Sequence, residues 1–242
     1  MPYTRLIFCP TVVPHQEEKD LKFSSKQAVA IAFAATLLMI ASVGAQASTI
    51  LYFQNPDFNG AYSSQNDTNS FGLFAQSFDN FNLGAGTFNL SSVEWIGSYF
   101  NPAAQGTITA WTVQFWSDAA GAPGALLYST NVAGNGNETF LQNDNAGDPT
   151  FLYGLNVNFA TTANSTYWLS VYPDLGYPPQ WGWETGVGGD GAAYQCFFGT
   201  CGAVPNDLSF AVFGTQVPEP GSLMLLGSGI LALAGALRRK LF

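Results

Sequence analysis

The stretch Thr107-Ile-Thr-Ala-Trp-Thr-Val-Gln-Phe-Trp116 alternates in character: Trp111, Val113 and Phe115 fall on one face, Thr112 and Gln114 on the other. Thr166–Tyr172 repeats the pattern, with Tyr167, Leu169 and Val171 on one side and Thr166, Trp168 and Ser170 on the other. A period of two means a strand with one face on a core. Further short apolar runs lie at Thr49–Gln54, Leu73–Phe81, Thr87–Tyr99, Ala125–Thr130, Phe151–Phe159, Ala193–Phe198 and Leu208–Phe213. Between them stand the turn-forming stretches 118–124, 134–137, 143–149 and 186–191, rich in Gly, Asn and Asp, which tolerate positive φ. No long stretch has helical periodicity. The expected fold is all-β, a jelly-roll-like antiparallel β-sandwich.

Working outward, charge divides the chain into three. Residues 48–217, 170 positions, contain 12 acids and no Lys, Arg or His. Such a domain cannot neutralise phosphates, so nucleic-acid binding is excluded, as is phosphoryl transfer through a cationic clamp. Without an imidazole there is no Ser-His-Asp or Cys-His site and no His-based zinc site.

The bases are confined to the two ends. Lys22 and Lys26 precede an uncharged, largely apolar stretch, 27–44, which is followed by Ala45-Gln46-Ala47. A positive segment, an apolar segment and an A-x-A site make a secretory signal peptide, read over 1–47 as a signal helix with cleavage at Ala45 and Ala47. Glu17, Glu18 and Asp20 fit such a leader poorly, and a start near Leu21 would leave it compact and basic.

At the other end, 217–242, Val217-Pro218-Glu219-Pro220-Gly221 leads into the uncharged run Ser222–Leu237 and then Arg238-Arg239-Lys240. As a helix, 16 residues span about 24 Å, short of a ~30 Å hydrocarbon core unless the bilayer thins or the basic side chains snorkel. The expectation is a single transmembrane helix, with the basic cluster held cytoplasmic as a stop-transfer signal.

This tripartite tail resembles the PEP-CTERM sorting signal of exopolysaccharide-producing Gram-negative bacteria. The resemblance implies recognition by an exosortase, a membrane-embedded cysteine transpeptidase-like protease, acting near Pro218-Glu219-Pro220. Signal peptidase and the Sec translocon would be the other export partners. It implies a route to the cell surface or the extracellular matrix and leaves the passenger, 48–216, unidentified.

Four features of the passenger invite a chemical reading. Cys196 and Cys201 enter an oxidising compartment and should form a disulfide. Tyr177, Trp181, Trp183 and Glu184 form an aromatic and acidic cluster that either stacks sugar rings or fills the core; Trp181 and Trp183 would share a strand face. Glu94 and Glu184, each beside a Trp, are the pair a carboxylate-dependent glycan-active enzyme would need. Asp67, Asp144 and Asp148 sit in Asn- and Asp-rich loops and would supply oxygens to calcium, the one cofactor suggested, although no loop has EF-hand spacing. The preferred reading is a non-enzymatic, biofilm-associated surface protein that binds exopolysaccharide or serves as a structural unit. A secreted glycan-active enzyme and an uncleaved single-pass surface protein are the rivals.

Overall fold

The computed structural model describes residues 48–217 and 220–241. The signal helix with Ala45 and Ala47, and Pro218 and Glu219 of the sorting motif, lie outside the described residues.

Fourteen strands form the passenger: β1 Thr49–Ser63, β2 Gln65–Asp67, β3 Gly72–Asn82, β4 Phe88–Phe100, β5 Ile108–Asp118, β6 Pro123–Ala133, β7 Thr139–Asn143, β8 Pro149–Thr161, β9 Thr166–Leu175, β10 Gln180–Val187, β11 Ala192–Phe197, β12 Thr200–Pro205, β13 Asp207–Leu208 and β14 Phe210–Gln216. They make two seven-stranded sheets. The first runs β13-β10-β1-β14-β4-β8-β7 and the second β12-β11-β3-β2-β9-β5-β6. Pairing is antiparallel apart from one parallel contact, Asn66 with Asp174, between β2 and β9. The chain passes repeatedly from one sheet to the other, giving the expected sandwich.

The alternation read in β5 and β9 is realised. Trp111, Val113, Phe115, Tyr167, Leu169 and Val171 all enter one buried core, and Val113 pairs with Val171 across the ladder. The first sheet contributes Trp95, Tyr99, Tyr153, Trp181 and Trp183. Trp111 reaches across to Trp181 with ring centroids 4.9 Å apart, and Phe115 stacks on Phe159 at 4.6 Å. Gly97 makes room for this layer: a Cβ there would collide with the Trp181 indole and the Gly182 carbonyl.

Five strands lie beyond the sequence reading: β2, β7, β10, β12 and β13. They are short or interrupted by Gly, so their pattern is too brief to show a period. β1 also runs on to Ser63. Pro56, Phe58 (φ 55°) and Gly60 (φ 145°) break its register with β10 between Pro56 and Ala61. Pro and positive φ inside an otherwise paired strand mark a bulge.

Both ends of the sandwich lie at one pole. Thr49, opening β1, pairs with Gly214 near the end of β14, and Gln216 pairs with Phe88. The β3–β4 turn is at this pole too, since Asn164 donates to Gly84 beside Thr161, the partner of Phe88. Gly72, at the start of β3, lies ten residues away, about 33 Å along an extended strand.

Taken by itself, the segment after the sandwich is one helix, α1, Pro220–Leu241. Proline suits a first turn because its missing N–H is unneeded there. Among the described residues no helix is long and apolar enough to cross a membrane. The expected C-terminal helix is present over Pro220–Leu241. Arg238, Arg239 and Lys240 fall within its last turns.

Candidate functional site

The predicted aromatic cluster does not assemble on the surface. Trp181 and Trp183 are 0% exposed. Their indole N–H groups donate inward, to the Tyr153 hydroxyl at 3.2 Å and to the Ser209 carbonyl at 2.8 Å. They share a face as expected, but it is the face toward the second sheet. A sugar cannot stack on them; they are core residues.

Tyr177 belongs to a different aromatic group. Just before β10, its ring meets Phe71 at 6.0 Å, and Phe71 meets Phe198 at 5.8 Å. Phe74 and Phe197 complete the cluster, with Phe74 5.2 Å from Phe198 and 6.0 Å from Phe197. Phe71 is 54% and Phe198 59% exposed, and Leu73, Phe197 and Tyr177 also face solvent. This tip lies at the pole opposite the chain ends. The sequence offered one signal for it: two adjacent phenylalanines at a Cys-flanked turn, where polar residues usually stand.

Three devices hold the tip in place. The Asp67 carboxylate accepts four backbone N–H bonds, from Asn69, Ser70, Phe71 and Tyr177, at 2.7–3.0 Å. Those bonds outweigh its desolvation and draw its pKa down from 3.8 to about 2. The Phe198 N–H donates to the Phe74 carbonyl at 2.7 Å. The expected Cys196–Cys201 disulfide is present and closes the β11–β12 hairpin one residue below its tip. Closing so short a loop contributes about 2 kcal/mol in the chain-entropy picture.

From the tip, a face without Lys, Arg or His extends along the outside of the second sheet. Phe74, Gln76 and Phe78 alternate outward along β3. Phe78 meets Trp116 of β5 at 5.7 Å and Tyr194 of β11 at 6.5 Å, and Trp168 of β9 meets Tyr194 at 6.3 Å. Phe74, Phe78 and Trp168 are buried yet stand outside the central core cluster; they shield one another. Amides and hydroxyls link this layer. Gln76 donates to Gln114 Oε1 at 2.9 Å and to Ser170 Oγ at 3.0 Å, and Trp116 Nε1 donates to Gln114 at 3.2 Å. Asp118 ends the row, accepting from Trp168 Nε1 at 2.9 Å.

The acids do not assemble as read in the sequence. Asp67 is occupied by backbone amides. Asp144 Oδ1 accepts from the N–H groups of Ala146 and Asp148, shaping its own loop. Asp148 lies beside Asp144, whose charge adds to burial in raising its pKa. Among the described residues no three carboxylate, thiolate or imidazole side chains are grouped as a metal site.

Glu184 faces away from the core under the loops of Asp57 and Asp144, and it too is 0% exposed. Neither carboxylate oxygen has a hydrogen bond. Burial pushes its pKa to about 8, with the neighbouring charges of Asp144, Asp57 and Asp148 adding to the rise and the nearby Ser98 hydroxyl opposing it. Sealed in this way, it presents no carboxyl to a substrate alongside Glu94, which lies in an open groove. Asp79, also fully buried, is raised well above 3.8 by desolvation, against bonds from the N–H groups of Leu208 and Asn80. Glu138 is structural. It accepts from the hydroxyls of Tyr99 and Tyr153 and from Gln105, fastening the β6–β7 loop to the core.

Of the sorting residues, Val217 is fixed to the sandwich by its N–H, 2.8 Å from the Thr87 carbonyl, while Arg238 and Arg239 are exposed on α1. No curated protein and no solved structure is significantly similar to the chain. The model of the PEP-CTERM protein-sorting motif matches residues 216–240. The motif implies export, membrane-associated sorting and processing by an exosortase, so the chain is a β-sandwich passenger carrying a PEP-CTERM sorting motif.

Proposed function

We propose that the passenger is a non-catalytic glycan-binding module of the cell surface or extracellular matrix, and that the outer face of its second sheet, with the Phe71–Tyr177–Phe198 tip, is its contact surface. The observation that carries this reading is the exposed aromatic tip of Phe71, Tyr177, Phe197 and Phe198, continued along a cation-free face by the half-buried Gln76, Gln114, Trp116 and Tyr194. Exposed aromatic rings offer flat apolar area to the C–H faces of sugars, and the half-buried Gln76 and Gln114 amides beside them match sugar hydroxyls. The tip lies at the pole opposite the end of β14, about 33 Å away along an extended strand.

Affinity electrophoresis of the passenger in gels containing neutral polysaccharides, including the exopolysaccharide of the source organism, tests the proposal. Retardation by at least one polymer, reduced at least tenfold in apparent affinity by Phe71→Ala with Phe198→Ala, is expected. No retardation by any polymer would leave a purely structural module.

A further inference from the structure

A second surface, on the outside of the first sheet, has a different chemistry. A groove of about 520 Å³ is lined by Ser92, Glu94, Asn137, Thr139, Gly154 and Asn156, among others. That volume suits a small ligand or one or two sugar rings. Glu94 stands on β4 between Ala211 of β14 and Gly154 of β8. Gly154 keeps the space above it open, since a Cβ there would press on Glu94 Cγ at 3.2 Å. On its other side Glu94 borders an apolar trough with Phe53, Pro56, Ile96 and Leu152, and Phe53 is 49% exposed.

Most acids of the sandwich are engaged internally, as the bonds to Asp57, Asp67, Asp118, Glu138 and Asp207 illustrate. Glu94 is not. Its carboxylate and the side chains of Ser92 and Asn156 make no hydrogen bond among the described residues. The passenger also offers no cation to pair with it. An open groove with an unbonded carboxylate between the unbonded Ser92 hydroxyl and Asn156 amide, walled by Asn137 and Thr139, which already donate to backbone carbonyls, is complementary to a ligand with one ammonium and several hydroxyls.

We infer that this groove binds an amino-sugar unit of a polysaccharide, its ammonium on Glu94 and its hydroxyls on Ser92 and Asn156. A lysine side chain of a protein partner would satisfy the carboxylate but leave the polar ring unused, whereas an amino sugar meets both. The site is separate from the proposed contact face on the second sheet, and the two stand or fall independently.

The test is calorimetric titration of the full chain in detergent at slightly acid pH with a glucosamine hexamer, its N-acetylated counterpart and a lysine hexamer. The glucosamine hexamer is expected to bind at least tenfold more tightly than the N-acetylated one. Glu94→Gln should abolish that preference, and Asp148→Asn, which removes one charge elsewhere, should keep it. Equal binding of the two sugars, or a preference surviving Glu94→Gln, would mean diffuse attraction to the acidic domain and overturn the assignment. Tighter binding of the lysine hexamer, lost in Glu94→Gln, would assign the groove to a protein partner and overturn it too. Glu94→Gln should leave retardation by neutral polysaccharides unchanged, so failure here is distinguishable from failure of the contact face.

Discussion

The backbone N–H of Tyr177 donates to Asp67 Oδ1 at 2.7 Å, across 110 positions of sequence. The same carboxylate holds the N–H of Phe71. One acid thus sets the spacing of two exposed rings, because each ring's backbone is pinned to a common anion.

Asp67→Asn should loosen the tip. An amide has one acceptor oxygen for four donors and carries no charge, so about 2 kcal/mol of stability should be lost. Asp67 also predicts an acid limb. Its pKa is lowered from 3.8 to about 2 on folding, so its contribution is complete above pH 3.8 and disappears as pH falls through about 2. Urea unfolding between pH 2 and pH 5 should show the wild type gaining stability with pH relative to Asp67→Asn.

Glu184 predicts the opposite slope at higher pH. Its pKa rises from 4.5 to about 8 on folding, so the folded state binds more protons between those values. Stability should fall as pH rises through that window, at up to about 1.4 kcal/mol per pH unit. Glu184→Gln should remove this slope, leaving the variant the more stable protein at pH 9 but not at pH 4. Parallel denaturant titrations at the two pH values check it.

Trp181→Ala should cost about 3–5 kcal/mol, since the indole is fully buried and its partner, the Tyr153 hydroxyl, loses a donor. Gly97→Ala should also destabilise the fold, because the added methyl meets that same indole. Neither change should act through ligand contact, so at temperatures where the variants remain folded, polysaccharide retardation should match wild type.

Replacing Cys196 and Cys201 together by serine should lower stability by about 2 kcal/mol and loosen the hairpin that carries Phe197 and Phe198. Retardation by polysaccharide should weaken even well below the melting temperature. Retention at the wild-type level would show that the rings are held without the staple.

The sequence by itself determined the class of the fold and the address of the chain. Alternation in Thr107–Trp116 and Thr166–Tyr172 requires half-buried strands, because a period of two leaves one face for a core. The Pro218-Glu219-Pro220 tail is a local signal, so it is legible without tertiary structure. The roles of the aromatics were not. Spacing places Trp181 and Trp183 on one face, but which face meets the other sheet depends on how β10 pairs with β1 and β4. Tyr177 joins Phe71 and Phe198 only because three distant turns converge at one pole. Glu184 is sealed and Glu94 left open for the same kind of reason: loops distant in sequence cover one and leave the other bare. Period and composition fix what a strand can bury; only the packing of the two sheets decides what it does bury.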